Sequence, residues 1–473
     1  MKIDRKNSAG LPVDGGFGAV FRIALPLILS NSCHAANMFF DRLMLARYSN
    51  EAVAAAFTGG LTHFTCACIF IGTVGYTGTF VAQYDGSGHR ERIGRAMWQG
   101  IFLALLGAAV LTTGIWWAEP LFSCFGHDPG VAKLEAVYFR ILSIGSFSFM
   151  LVNVLCCFWS GRGRTDLVLA VSVIMTLFNL PLNYLFIFGK CGLPAMGTAG
   201  AAWGTVGAEV IGLAIYAAVF FSPSARRHFQ THRICFDKVL ICRMLRYGLP
   251  NGIHLALDLI AFNTFGLLLG CYGVAVHEAS GITFGINNIA FCPAIGIGMA
   301  ASILVGRAVG AERIPLAKKA LKNCLVIVTA YTFFMVLLFS VFQDLVLYPF
   351  MRPGDADQAQ SIRIAGQMLY FISGYLLIDG CSIVLSNALR GAGDTRFTMW
   401  AMTGVGIGLF ALPCLVLYLT GFPWWTLWIA LEAEILLLCT LFFLRYLGGR
   451  WTKMRVIEVA AVREMEEEST KLP

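Results

Sequence analysis

The chain is written in long apolar runs separated by short polar stretches. Twelve of the runs approach the ~20 residues that a helix needs to cross a bilayer. They fall at about 20–42, 52–82, 96–118, 135–159, 166–188 and 198–221, then at 247–270, 279–305, 320–342, 363–388, 397–420 and 424–446. The most polar internal stretch, Ser222 to Arg246, separates the sixth run from the seventh. The pattern predicts an all-α membrane protein with a six-helix lobe over 20–221, a linker over 222–246 and a second six-helix lobe over 247–446. Polar segments, 1–19 and 447–473, flank the lobes, and the second ends in an acidic run at Glu464 and Glu466 to Glu468.

The two halves repeat. Val81-Ala-Gln-Tyr-Asp-Gly86, followed by basic residues from Arg90 to Arg95, returns as Val305-Gly-Arg-Ala-Val-Gly310 with Arg313 to Lys319, at a shift of 224 in the numbering. Pro26 matches Pro250 at the same shift. Ser160-Gly-Arg-Gly-Arg-Thr165 returns as Arg390-Gly-Ala-Gly-Asp-Thr395 at a shift of 230. Six spans per half is an even number, so both halves enter the membrane in the same direction. Such a repeat has a pseudo-two-fold axis along the membrane normal, and it predicts a cavity between the lobes and rocking-type alternating access. Closely spaced small residues, as in Gly197 to Gly204 and Gly404 to Gly408, are of the kind that lets helices approach in lipid.

Composition narrows the class. Of 473 residues, 58% are hydrophobic and 13% charged, against roughly 25% charged in a soluble domain. That excludes a soluble enzyme and a disordered chain. The net charge of +8 reports topology: 28 of the 35 Lys and Arg fall on the face that carries the termini and 7 on the other. The positive-inside rule then puts both termini in the cytoplasm of a cell (inner) membrane protein. A nucleic-acid footprint would be a concentrated basic stripe on one face, so no nucleic-acid partner is expected. The 15 cysteines lie mostly within apolar runs and show no Cys-x-x-Cys pair, which suits packing rather than a zinc site or a disulfide framework. No small-residue cleavage site follows the first apolar run, so no removable signal peptide is expected.

Acids deep in apolar spans cost ~2.5–3.5 kcal/mol on insertion scales and usually face a cavity or a partner. Asp41 lies toward the outer end of span 1, Asp258 in the middle of span 7 and Asp379 in the middle of span 10. Asn37 and His254 each stand four residues before an aspartate, on the same helix face, and His34 is a further turn from Asn37. Span 5 contributes Asn179 and Asn183, also four apart, with Pro181 freeing a backbone carbonyl between them. Asp41, Asn179, Asn183 and a hydroxyl such as Thr205 would suit a small hard cation. A desolvated carboxylate there could equally carry a proton. His254 beside Asp258 reads as either a proton relay or a histidine bonded to a neighbouring helix. Glu432 and Glu434, two apart in span 12, point to different faces and read as interfacial carboxylates. Trp424, Trp425 and Trp428 read as an interfacial belt.

A carrier for cations is the leading class. A flippase for lipid-linked sugars, the alternative among carriers, would need a strongly cationic cavity, whereas the charges inside these spans are mainly acidic. An enzyme would need a clustered nucleophile or metal set, which the scattered His34, His63, His254 and His277 do not supply, so no catalytic residue is expected. Nothing in the chain asks for a cofactor beyond Na⁺ or H⁺ as coupling ion.

These residues carry a resemblance. From about Phe21 to Arg445 the chain resembles the multidrug and toxic compound extrusion (MATE) transporters, NorM-like branch. The matching segments are Leu25-Pro26-Leu-Ile-Leu with Phe40-Asp41-Arg-Leu-Met, Val81 to Gly86, and Asn179-Leu-Pro-Leu-Asn183-Tyr continuing to Gly197-Thr-Ala-Gly-Ala-Ala. In the second half they are Asp258 fifteen residues before Gly273, Val305 to Gly310, and Asp379 eleven residues before Arg390 to Thr395. The resemblance implies a twelve-helix, two-lobe antiporter that expels cationic amphipathic compounds against inward Na⁺ or H⁺; separately, a monomer among membrane lipids is expected. It implies that Asp41, Asn179, Asn183 and Thr205 form the polar cluster of the first lobe. It likewise makes Asp258 and Asp379 the coupling acids of the second, and Pro26 the site where the first helix bends. Span 7 often carries Glu in this family, where this chain has Asp258 with His254 a turn away.

Overall fold

The computed structural model describes residues 15–124, 126–351 and 356–458. Positions 1–14 and 459–473, with the acidic run of the tail, lie outside the described residues. Twelve helices among the described residues are long and apolar enough to cross a membrane: α1 Phe17–Ala46, α2 Asn50–Ser87, α3 Arg90–Thr112, α4 Pro129–Ser160, α5 Thr165–Phe188, α6 Thr198–Phe220, α7 Lys238–Gly270, α8 Val274–Gly310, α9 Ile314–Val341, α10 Gln358–Ala392, α11 Thr395–Leu419 and α12 Trp425–Leu447. Ser49 caps α2 by accepting from the Ala52 N–H at 3.0 Å, and Asp237 caps α7 by accepting from Leu240 at 3.0 Å. Gly88 and Gly189, at φ 85° and 66°, close α2 and α5 in the left-handed region.

Four local features depart from the pattern read in the sequence. The α3 helix stops at Thr112, about a turn and a half before the end of its apolar run. There the hydroxyls of Thr112 and Thr113 turn back onto the carbonyls of Ala108 (2.8 Å) and Val110 (2.7 Å), and the chain restarts as a short helix, Gly114–Ser123, on α4. At the linker, α7 already begins at Lys238, so residues 238–246 are helical. The remaining linker is pinned to α3: Trp98 donates to the Thr231 carbonyl at 2.9 Å and Gln99 to that of Cys235 at 2.6 Å. Third, Thr403–Ala411 of α11 is a π-helix. A Cβ on Gly404 or Gly408 would meet nothing within 4 Å, so these glycines loosen a helix rather than seat one. Gly200 and Gly204 do seat α6, on the backbone of Phe186 and against Asn183. Finally, Trp428 is not part of an interfacial belt: it is fully buried, edge-on to Phe265 at 5.2 Å.

In the first lobe α4 packs on α2, α3 and α6 while α5 packs on α1 and α6; in the second, α10 packs on α8, α9 and α12. The lobes meet where α2 crosses α7 and α8, and where α1 crosses α8. These crossings come in symmetry-related pairs. Gly72 of α2 abuts Gly252 of α7, and Gly296 of α8 abuts Ile28 of α1; 296 − 72 and 252 − 28 are both 224. Gly86 abuts the backbone of Arg307, and Gly310 that of Gln83; again 310 − 86 and 307 − 83 are both 224. Contact of i with j, mirrored by j with i, is the signature of an isologous two-fold interface. Two six-helix lobes related by a pseudo-two-fold axis are thus written in the contacts themselves.

Candidate functional site

The first lobe gathers its polar residues at the far end of α1. Asn183, fully buried on α5, donates its amide to the Asp41 carboxylate and to Asn179 Oδ1 at 3.1 Å. The missing side chain at Gly204 admits Asn183 beside α6. Thr205 follows in sequence, but its hydroxyl donates to the Ala201 carbonyl of its own helix at 3.1 Å rather than to the cluster. Asn183 Oδ1 and Asn37 Oδ1 are buried without a hydrogen-bond partner. Amide and carboxylate oxygens are the chemistry that suits a hard cation. Tyr138 of α4 faces Asp41 across the cluster.

Pro26 sits inside an otherwise continuous α1. A proline cannot donate to the carbonyl four residues back; here that carbonyl, Arg22 O, receives the Thr165 hydroxyl from the start of α5 at 3.4 Å. Pro26 is remote from Asp41 along the helix, so it bears on helix shape and not on ligation.

The second lobe holds the other two aspartates. Asp258 of α7 and Asp379 of α10 lie within electrostatic reach of each other, and Tyr375, one turn before Asp379, faces Asp379 and Asn287. His254 shares a helix face with Asp258, yet its Nε2 is buried without a partner, so no hydrogen bond runs from it to Asp258 among the described residues. Instead His254 and Asp258 both face Arg390, whose Nη1 donates to Asn251 Oδ1 at 3.1 Å. The acids and amides therefore form two places, one per lobe, and not one pocket.

Sequence reasoning passed over two charged groups and misplaced a third. Glu209, on α6 one turn from Thr205, accepts from the Ser148 hydroxyl at 3.2 Å. It met the criterion applied to the aspartates, an acid inside an apolar run. Arg390 was visible in the repeated Gly-x-Gly segment, but nothing one-dimensional told that its side chain reaches Asp258. Glu434 is 5% exposed and faces Asp258 and Asp379, so the interfacial expectation does not hold for it.

The Asp258 region faces the opposite lobe. Asp258 and His34 are open to solvent although protein surrounds both, and Cys68 of α2, in the opposite lobe, faces Asp258. The inter-lobe hydrogen bonds and ion pairs between described residues cluster on the side that carries the termini. Arg307 pairs with Asp85 at 3.0 Å, Asn251 donates to the Gly72 carbonyl at 2.6 Å, and the Tyr76 hydroxyl donates to the Arg390 carbonyl at 2.7 Å. Gln83 donates to the Gly391 carbonyl at 3.1 Å while its own carbonyl accepts the Val456 N–H at 3.0 Å. Glu458 bridges Arg92 of the first lobe (2.6 Å) and Arg243 of the second (2.5 Å). On the same side Arg162, in the loop between α4 and α5, stacks over Phe229 at 4.0 Å, and burial lowers its guanidinium to about 10. The two lobes are bonded to each other toward the termini.

Known proteins share this architecture. The MatE family model matches residues 26–185 and again residues 250–417, and the two matches begin at Pro26 and Pro250, the pair related by the internal repeat. "Probable multidrug resistance protein NorM" of Mesorhizobium japonicum is 27% identical over 438 residues, 91% of this chain and 93% of its own length. A solved MOP superfamily transporter from Pyrococcus furiosus, reported with a binding pocket of reverse polarity, superposes with a TM-score of 0.84 at 18% identity over 95% of this chain and 98% of that one. A MATE protein solved in a bent conformation superposes with a TM-score of 0.82 at 17% identity over 97% and 99%. Because the family model covers well over half of the sequence, in two copies that fall on the two lobes, the chain belongs to the MatE family of multi-pass membrane transporters.

Proposed function

We propose that the protein is a multidrug efflux antiporter that exports cationic amphipathic compounds across the cytoplasmic membrane in exchange for inward Na⁺ or H⁺. The observation that carries the reading is the position of the acids: Asp41 in one lobe and Asp258 with Asp379 in the other lie within membrane-length helices of two lobes that are bonded to each other on the termini side. With the termini in the cytoplasm, as the 28-to-7 partition of basic residues supports, the conformation is outward-facing.

A carboxylate held in a dry, low-dielectric wall needs a positive partner. In the outward state a small cation from outside neutralises it and displaces a bulky bound one. Neutral lobes then close over the cleft and open inward, where the small ion leaves and a cationic drug takes its place. Exchange follows because one carboxylate cannot serve both guests, and coupling requires only that each guest prefer a different state. Asp41, held by Asn183 with Asn179 behind it and Thr205 on α6, and the Asp258/Asp379 pair are the coupling sites. Pro26 lets α1 bend between the states, and His254, on the same face of α7 as Asp258, is a candidate relay to it.

The test is ethidium export from proteoliposomes under a sodium gradient and a pH gradient imposed separately. Asp41→Asn and Asp379→Asn are each expected to lose about tenfold or more of the gradient-driven rate. Undiminished export in both variants refutes the reading.

A further inference from the structure

The last helix of each lobe carries one glutamate in the same register. Aligning α6 on α12 at a shift of 225 puts Trp203 on Trp428, Ala208-Glu209 on Ala433-Glu434 and Leu213 on Leu438. That shift agrees within one residue with the 224 that relates the inter-lobe contacts. The aspartates have no such counterparts: at a shift of 224 Asp41 falls on Phe265 and Asp258 on His34, and at a shift of 230 Asp379 falls on Phe149. The duplication has thus left Glu209 and Glu434 as a matched pair, the twelfth and the tenth residue of two 23-residue membrane helices.

Neither glutamate forms an ion pair with the described residues. The bonding around Glu209 supplies little to hold a negative charge. The Ser148 hydroxyl lies 2.7 Å from the Gly145 carbonyl and 3.2 Å from Glu209 Oε2. One hydroxyl proton shared between two acceptors gives the carboxyl a weak bond at most. A carboxylate so weakly held inside a bilayer is neutralised by taking up a proton. Around Glu434 the count of charges leads to the same place. Glu434 faces two further carboxyls, Asp258 and Asp379, and the one guanidinium among these groups, that of Arg390, faces Asp258. Three minus one leaves two negative charges that a bilayer interior does not hold unbalanced. The side-chain-free Gly406, in the π-helical stretch of α11, makes the room that Glu434 occupies: a Cβ there would stand 3.3 Å from Oε1.

We propose that Glu209 and Glu434 are a pseudo-two-fold pair of proton-carrying carboxyls, one per lobe, each serving the aspartate site of its own lobe. The inference rests on the reading of Asp41, Asp258 and Asp379 as coupling acids and extends it to a second shuttle group in each lobe. Each turnover makes and breaks O–H bonds only: a carboxylate takes one proton from water on the outer side and returns it to water on the inner side. The groups that face Glu209 are Ser148 and Tyr138 of α4, and Tyr138 also faces Asp41. Among the described residues α1, α2 and α5 turn no charged group toward Glu209. Those that face Glu434 are Asp258 of α7, Asp379 of α10 and Cys414 of α11.

The test uses the full chain in proteoliposomes, with ethidium export driven by a pH gradient and the rate followed from pH 5.5 to about 8.5. Glu209→Gln and Glu434→Gln, neutral and of the same shape as a protonated glutamate, are each expected to lower the rate about tenfold and to flatten its pH dependence. Glu209→Asp and Glu434→Asp are expected to restore much of the rate with a displaced pH profile. Three results overturn the proposal. One is a wild-type rate and pH profile in both Gln variants while Asp41→Asn and Asp379→Asn fail, which spares the antiporter reading. Another is a rate lowered in Gln and Asp variants alike, with an unmoved pH profile, which marks a structural role. The third is wild-type export indifferent to the pH gradient but driven by sodium.

Discussion

At the scale of single residues, the first-lobe site depends on a side chain that is missing. Gly204 leaves the space into which Asn183 carries its amide to Asp41. In Gly204→Ala the new methyl competes with Asn183 Oδ1, and overpacking of this kind costs about 1–3 kcal/mol. The expected outcome is a lower melting temperature together with a loss of ethidium export, read by thermal unfolding and by the proteoliposome assay. Unchanged values in both would show that Asn183 does not hold Asp41. The aspartates and asparagines of this site were legible in the sequence because an acid or a pair of amides within an apolar run stands out without knowledge of contacts. Glu209 satisfied the same criterion and was missed for want of a neighbour in the sequence. Arg390 and Glu434 were not legible as site residues, since what they face belongs to other helices, distant along the chain. For the same reason His254 was paired in the sequence with Asp258 but in space turns to Arg390.

At the scale of elements, twelve spans were legible because a bilayer fixes the length of an apolar run. Their ends were not, because hydroxyl side chains and caps decide them: Thr112 and Thr113 stop α3, and Asp237 starts α7 inside the expected linker. Nor was the strap formed by Met454 to Glu458. It lies over the termini side, where Val456 is buried against Gln83 and Gly393 and Glu458 ties Arg92 to Arg243. Contacts between the two ends of a chain leave no periodicity to read. Both ion pairs of Glu458 are partly solvated, so together they favour the sealed state by about 1 kcal/mol, a roughly fivefold bias. Glu458→Gln should therefore raise the population open on the termini side, as measured by distance distributions between spin labels on the two lobes. An unaltered distribution would show that the strap follows the lobes without holding them.

At the scale of the whole molecule, one duplicated lobe has become two unequal ones. The backbone keeps the symmetry closely enough that Gly72 with Gly252 and Gly296 with Ile28 are the same contact seen twice. The charges do not. Asp41 lies in one lobe, Asp258 and Asp379 with Arg390 in the other, so the two lobes carry different sets of charged groups. That inequality permits a small ion and a drug to be bound on different sides of one cleft while both act on the same rocking interface. The internal repeat was legible in the sequence, and so was the pair of lobes; that the inter-lobe seam lies on the termini side was not, because it follows from which helices cross and at what height.

The competition itself can be measured by titrating detergent-purified protein with tetraphenylphosphonium across a range of pH and of sodium concentration. Binding should weaken as either small cation rises, and the dependence should disappear when Asp41, Asp258 and Asp379 are all replaced by Asn. Affinity that ignores both pH and sodium in the unaltered protein would contradict an exchange of cations on these carboxylates.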